Sequence, residues 1–214
     1  MKGAEIQPDV WLDARRAVFF GKTKSLVLAD LHWGYATTHQ AAGNLLPSWG
    51  DDEIARDLSG LIADYQPAEM IWLGDSLHAL TGRAPAETFL RNCEVPVVIL
   101  PGNHDRKWDA VKERSTSRGE YFFHHGDTSA EVPSGSIEVI GHFHPAFDWY
   151  DGAGGRLKLP ALVRGDRKII LPAFSPWAAG TPWNSSLSEN EQLWVIAPRR
   201  IFSVTPGLLR KARR

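Results

Sequence analysis

Between residues 25 and 145 a short apolar run ends five times in a cluster of Asp, His or Asn. Ser25–Ala29 stops at Asp30-Leu31-His32, Met70–Leu73 at Gly74-Asp75, and Val95–Leu100 at Pro101-Gly102-Asn103-His104-Asp105. Tyr121–Phe123 stops at His124-His125-Gly126-Asp127, and Ile137–Ile140 at Gly141-His142-Phe143-His144-Pro145. Short apolar runs bounded by Gly and Pro read as buried strands. Polar groups crowded onto strand exits seldom serve packing, and in open α/β sheets ligands bind outside the carboxyl ends of the strands. The pattern therefore predicts an α/β fold whose strand exits gather at one edge.

The segments between these strands fit that reading. Trp11–Asp13 and Ala17–Phe20 predict a hairpin, and residues 36–50 a loop with about one helical turn. Asp51, Asp52 and Glu53 suit a helix N-terminus, and Ile54, Leu58, Leu61, Ile62 and Tyr65 keep helical spacing. Shorter helices are predicted over Pro85–Arg91 and Lys107–Arg114. Beyond residue 150, strands over 156–163, 168–171, 193–197 and 201–204 follow without helices between them, which predicts a second, mostly antiparallel sheet. No linker separates the two parts, so one domain over 1–214 is expected.

Composition narrows the setting. A net charge of −1 gives no global attraction to nucleic acid, and the basic stretch Leu209–Arg214 reads as a solvated tail. One cysteine, Cys93, excludes an internal disulfide framework and fits a reducing compartment. With no apolar leader and no run of membrane-spanning length, a cytoplasmic protein without a membrane partner is expected.

The strand exits supply Asp30, His32, Asp75, Asn103, His125, His142 and His144. Mixed imidazole and carboxylate donors without thiolates suit Mn, Fe or Zn, with Mn the first expectation, and not a structural zinc knot. Seven donors exceed the needs of one ion, so two divalent ions sharing a carboxylate are expected. Asp75, alone after a glycine, is the candidate bridge. Two ions about 3.5–4 Å apart would hold a hydroxide between them and clamp a phosphoryl group for in-line displacement. His104 adds a proton carrier, and Asp105 a group to orient it. Singly, an Asp-x-His, a His-x-His or a Gly-Asp is ordinary surface, core or turn; five in succession are not. His78, His124 and Asp127 are read as supporting or exposed groups, and His39 as structural or exposed. No Walker loop, nucleophile elbow or early His-x-His-x-Asp-His cluster is present, and Gly152–Gly155 does not join a strand to a helix.

The ordered set Asp-x-His, Gly-Asp, Gly-Asn-His-Asp, His-Gly, Gly-His-x-His resembles the calcineurin-like metallophosphoesterases, over residues 30–144. Within them Ala29–Gly34, Gly74–His78, Gly141–Ala146 and Leu171–Phe174 look most like the bacterial DNA ligase-associated metallophosphoesterases, although Trp33 and Tyr35 depart from the residues usual there. The resemblance implies a four-layer α/β/β/α sandwich of two mixed sheets with a di-metal site at the strand C-terminal edge. It implies Asp30, His32, Asp75 and His144 on one ion and Asp75, Asn103, His125 and His142 on the other. His104 would protonate the leaving oxygen, with Asp105 as its orienter.

The leading expectation is a phosphodiesterase or nuclease, with a phosphoester, nucleotide or nucleic acid as substrate and DNA-repair proteins as partners by resemblance. The alternatives are a phosphomonoesterase or nucleotide pyrophosphatase, and a metal-free protein-binding scaffold, which would have lost ligands. A protein Ser/Thr phosphatase is disfavoured because Gly74-Asp75 lacks the Asp-Arg-Gly that follows in those enzymes. The nine tryptophans prompt one more expectation. Trp33, with Phe174, Trp177 and Trp183, either packs the sheet junction or forms a base-stacking platform beside the phosphoryl site.

Overall fold

The computed structural model describes residues 3–212 other than 106 and 112. The first sheet runs β1 (Gly3–Gln7), β2 (Val10–Asp13), β3 (Val18–Phe20), β4 (Ser25–Leu28), β5 (Glu69–Trp72), β6 (Val97–Ile99), in that spatial order. It is antiparallel through β4 and parallel from β4 to β6. Between β4 and β6 the chain forms α1 (Tyr35–Ala41), α2 (Gly50–Tyr65) and α3 (Arg83–Asn92).

The second sheet contains β7 (Ser115–Arg118), β8 (Tyr121–His124), β9 (Ile137–Ile140), β10 (Pro145–Tyr150), β11 (Arg156–Arg164), β12 (Lys168–Ile170), β13 (Thr181–Pro182), β14 (Gln192–Ala197) and β15 (Arg200–Val204). Its order is β13-β10-β11-β12-β9-β8-β7, with β14 and β15 branching from β11. The chain closes with α4 (Pro206–Ala212).

Alternation along the strands builds the layers. In β4 and β5, Val27 and Ile71 face the second sheet and join Phe123, Val139, Leu162 and Ile169 in the central core. Their neighbours Leu26, Leu28, Met70 and Trp72 face the helices and meet Ile54, Leu58 and Leu61 of α2. Burying those three aliphatic side chains stabilises the helix layer by about 1.5–3 kcal/mol each. The outer face of the second sheet is covered more thinly, with Leu187 and Leu209 packed against Ile170, Leu193 and Val195. Away from the strand exits, Glu69 on β5 pairs with Arg118 on β7 at 2.6 Å and ties the two sheets together.

Several sequence expectations are corrected. The second sheet begins at β7, not after residue 150, and β8, β9 and β12 pair in parallel. The five polar clusters therefore end strands of two sheets, three from the first and two from the second, and their edges meet. Over Lys107–Arg114 the described residues form turns and no helix; Lys112 lies outside the described residues. There Trp108 is drawn into the core and its N–H donates to the Asp105 carbonyl at 2.8 Å. The first residues of the expected tail, 209–212, belong to the helix Pro206–Ala212, and Arg213 and Arg214 lie outside the described residues. No helix among the described residues is long and apolar enough to cross a membrane.

Candidate metal centre

The exits of β4 and β5 are laced together by backbone hydrogen bonds. Asp30 N–H donates to the Gly74 carbonyl at 3.1 Å, and His32 N–H to the Asp75 carbonyl at 3.0 Å. Nine described non-glycine residues have φ in the left-handed region, and Asp30, His32, Asp75, His142 and His144 are five of them. At each of these donors the chain curls out of the extended strand geometry. Left-handed backbone costs roughly 1–3 kcal/mol per non-glycine residue, a sizeable sum against a typical net stability of about 5–15 kcal/mol. Such strain persists only where surrounding contacts over-determine it.

Glycines make the close approach possible. A Cβ on Gly74, itself at φ +85°, would lie 2.6 Å from the His125 ring, and one on Gly141 would lie 2.8 Å from Asp30 Oδ2. A Cβ on Gly102 would run into Asp75 Oδ1. The glycines preceding the donors were visible in the sequence; the side chains they make room for were not.

The donors form two groups of close ligand atoms, Asp30–His32–His144 and Asp75–His125–His142. Each group falls within one of the two sets implied by the resemblance, but Asp75 joins only the second, and Asn103, exposed on its loop, is in neither. A third group, His32–His78–His104, adjoins the first. Asp30 and Asp75 are buried, and no Lys or Arg among the described residues lies within 4 Å of either. Both accept a backbone N–H, from His142 and His104 respectively, and their ion-pair partners among the described residues are imidazoles, an arrangement that suits a cation. The His125 Nδ1–H donates to the Leu73 carbonyl at 2.6 Å, which aims Nε2 at Asp75 Oδ2, 3.6 Å away, with no hydrogen-bond partner. A ring held this way by a backbone carbonyl is oriented as a metal ligand. His32 Nδ1 is likewise buried without a partner. The donor set fits divalent cations.

Without ions the electrostatics are polarised. Burial opposes charge on His125, but Asp75 and Asp30 prevail and raise it to about 9. At His32 burial wins over the same two carboxylates and lowers it to about 4. Asp75, despite burial, is held down at about 2 by His125, the His104 N–H and His32.

The comparisons with known proteins bear on this donor set. Residues 23–199 match the family model for calcineurin-like phosphoesterases. The chain belongs to the calcineurin-like phosphoesterases. Their chemistry is metal-dependent phosphoester hydrolysis. Among solved structures, the Pseudomonas putida nuclease MPE is 27% identical, with a TM-score of 0.75 over 94% of this chain and 98% of that one. Yfce, a phosphoesterase from E. coli, is 15% identical with a TM-score of 0.47, over 85% of this chain and 98% of that one. No curated protein sequence gave a significant match.

In this phosphoesterase two expected roles are corrected. Asp105 does not touch the His104 ring. Its carboxylate accepts the N–H groups of Leu77 at 2.8 Å, Ser76 at 2.9 Å and Gly102 at 3.3 Å, fastening the Asp75 loop to the Asn103–His104 loop. His104 is oriented instead by its Nδ1–H, which donates to the His78 carbonyl at 2.8 Å. Trp33 is a core residue, 2% exposed and packed near Phe89 of α3, so it offers no ring face to a substrate.

Phe174 is buried in the same core, and Trp183 packs against the outer face of the second sheet. His124 turns away from the centre to Glu138 at 2.8 Å. Of the rings named from the sequence, Trp177 is the one that belongs to the row beside the centre. From His104 a row of close contacts runs through His78 at 5.4 Å and Tyr35 at 4.6 Å to Trp177 at 5.9 Å and Trp49 at 4.8 Å. Trp49 is 46% exposed at its outer end. Gly50 seats the Trp177 indole, because a Cβ there would strike Nε1. From the sequence Trp177 was named for such a platform, but its neighbours Tyr35, His78 and Trp49 were not.

Proposed function

We propose that this protein hydrolyses phosphodiesters of nucleotides or nucleic acid at a two-ion centre. The observation that carries the reading is the pair of donor groups, Asp30–His32–His144 and Asp75–His125–His142, brought together from the exits of two sheets. In the proposed assignment Asp75 is shared, and Asn103 completes the second set. When bound, the two ions would supply positive charge for the phosphoryl oxygens and make a water more acidic.

The chain's own groups do the rest. His104 donates Nδ1–H to the His78 carbonyl, so Nε2, 3.9 Å from Asp75 Oδ2, is the atom left to give a proton to the departing oxygen. His104 N–H also binds Asp75 Oδ1 at 3.0 Å, which ties the loop of the proton donor to the loop of the carboxylate proposed as shared. The preference for a base-bearing diester is supported by the row from His78 to Trp49, since a base stacks on an aromatic face for about 1–3 kcal/mol. The likeness to a nuclease over 94% of the chain supports the same preference.

Metal analysis of the purified protein, with hydrolysis of bis-p-nitrophenyl phosphate, p-nitrophenyl phosphate, nucleotides and single-stranded DNA, tests the reading. Diesters should be cut faster than monoesters, and the reverse order would assign a phosphomonoesterase. Asp75→Asn should abolish activity and lower metal content, because an amide cannot bridge two cations as a carboxylate does. Full occupancy with wild-type turnover in that variant would overturn the two-ion assignment.

A further inference from the structure

A cavity of about 270 Å³ opens beside the metal centre, between the start of β10, β11 and the loop of residues 173–180. It shares His144 with the first donor group. Its far wall is continuous with the centre, since Ser175 N–H donates to the Asp30 carbonyl at 3.0 Å and Ala173 bridges to Ala29. Apart from His144, the charged side chains lining it are Arg16 and Lys158, and no carboxylate lines it.

Arg16 sits in the β2–β3 turn at φ 67° and is half-buried. Its one side-chain hydrogen bond among the described contacts is from Nη1 to the Phe174 carbonyl, at 2.9 Å. No described carboxylate lies within 4 Å of it, and Glu53 and Asp57 of α2 act on it only at longer range. The neighbouring Arg15 shows the contrast, because its guanidinium is taken up by Asp13 at 2.8 Å and Asp64 at 2.7 Å. A guanidinium carries five N–H donors and stays charged, so Arg16 keeps donors for an anion.

The wall opposite is lined with small residues, Ala178, Ala179 and Gly180, and a Cβ on Gly180 would lie 2.5 Å from Ala146. At about 270 Å³ the space falls below the ~300–1,000 Å³ of pockets for drug-sized ligands. With two cationic side chains and no Phe, Tyr or Trp in its lining, it suits a phosphate better than a base.

We infer that this Arg16–Lys158 cavity holds a phosphate of the substrate that is not cleaved, the one next along the strand from the scissile diester. The inference rests on the phosphodiesterase reading and gives it a substrate class, a strand with more than one phosphate. Arginine is suited to a phosphate oxygen pair, and Lys158 adds a point charge from the exposed strand face.

The test uses metal-loaded enzyme and substrates with the same scissile bond. A dinucleoside monophosphate and bis-p-nitrophenyl phosphate carry only the scissile phosphate; the same dinucleotide phosphorylated at its 5′ or 3′ end carries one more. In wild type one of the extended dinucleotides should have the lower KM. Arg16→Met should raise that KM about tenfold and leave the single-phosphate substrates within twofold, with Arg16→Lys partly restoring it. Lys158→Glu, on an exposed position, should erode the same preference and reads the site if Arg16→Met does not fold. Equal losses on all substrates, or no preference in wild type, would overturn the inference.

A second readout is independent of turnover. Inorganic phosphate should raise the Tm of chelator-treated wild type but not of Arg16→Met. Phosphate binding without substrate discrimination would make this a free-anion site and overturn the strand assignment. If wild type with metal cuts no diester, the proposed function fails, and absence of the phosphate effect then removes the cavity's role as well.

Discussion

Replacing Asp105 by Ala separates two uses of a buried carboxylate. If it serves as a clamp, the variant loses its acceptor for three backbone N–H groups, of Leu77 and Ser76 at 2.8 and 2.9 Å and of Gly102 at 3.3 Å. Asp105 is 1% exposed, so water does not readily replace it. Hydrogen bonds to a charged group contribute roughly 1.5–3 kcal/mol each, and the two short ones give about 3–6 kcal/mol. Two terms oppose this. Burial and the nearby Asp75 charge both disfavour the ionised carboxyl and push Asp105 upward. A net loss of about 2–4 kcal/mol is expected, or roughly 4–16 °C in Tm at ~2–4 °C per kcal/mol for a chain of this size. Because the released loops carry Asp75 and Asn103, metal content should fall with Tm, and the rate should fall on good and poor leaving groups alike. Thermal melts with and without chelator, metal analysis and kinetics on two leaving groups read all three. A variant with unchanged Tm and metal whose rate falls only on the poor leaving group would refute the clamp and restore Asp105 as the orienter of His104.

His104→Ala should keep most of its metal and lose roughly 10²–10⁴ in rate on a poor leaving group, with a much smaller loss on p-nitrophenyl esters; equal losses on both would remove the proton-donor role. Trp33→Ala should cost about 3–5 kcal/mol as a core truncation and affect all substrates alike, whereas an unchanged Tm with a raised KM for nucleotides alone would make the ring a platform. In metal-free protein the low His32, at about 4, makes stability fall as pH drops below 6.5, because the unfolded chain there binds more protons. The raised His125 contributes stability that is full below 6.5 and lost as pH rises through about 9. Denaturation midpoints in chelator should thus peak near pH 6.5, and a midpoint still climbing from 7 to 9 would contradict the assignment. Metal binding at pH 7 should release protons as His125 gives up its charge, and calorimetry in buffers of different ionisation enthalpy would show none if it is already neutral.

The sequence by itself determined the strands of the parallel core and what hangs from their ends. Apolar runs such as Ser25–Ala29 and Met70–Leu73 are local patterns, and a polar cluster after each is legible because packing does not call for it. The amphipathic spacing of α2 is equally local, from Ile54 to Leu61. Polar or irregular strands such as Ser115–Arg118 and Pro145–Tyr150 carry no such signal and form only because a neighbouring strand offers its edge.

What only the tertiary structure decided depends on pairs far apart in the chain. The five exits divide between two sheets, and the left-handed turns at Asp30, His32, Asp75, His142 and His144 are imposed by contacts such as the His142 N–H on Asp30 Oδ2 at 3.0 Å. The partner of Asp105 could not be read from its neighbour His104, because a buried carboxylate binds the nearest unsatisfied donors, and folding brings it the amides of Ser76 and Leu77. Trp33 follows the candidate ligand His32 in sequence yet points into the helix layer, since the curl at His32 turns successive side chains to opposite sides of the sheet edge. Residue type and order specify which groups can hold a metal, but burial and hydrogen-bond competition, which are properties of the folded chain, decide which of their neighbours take part.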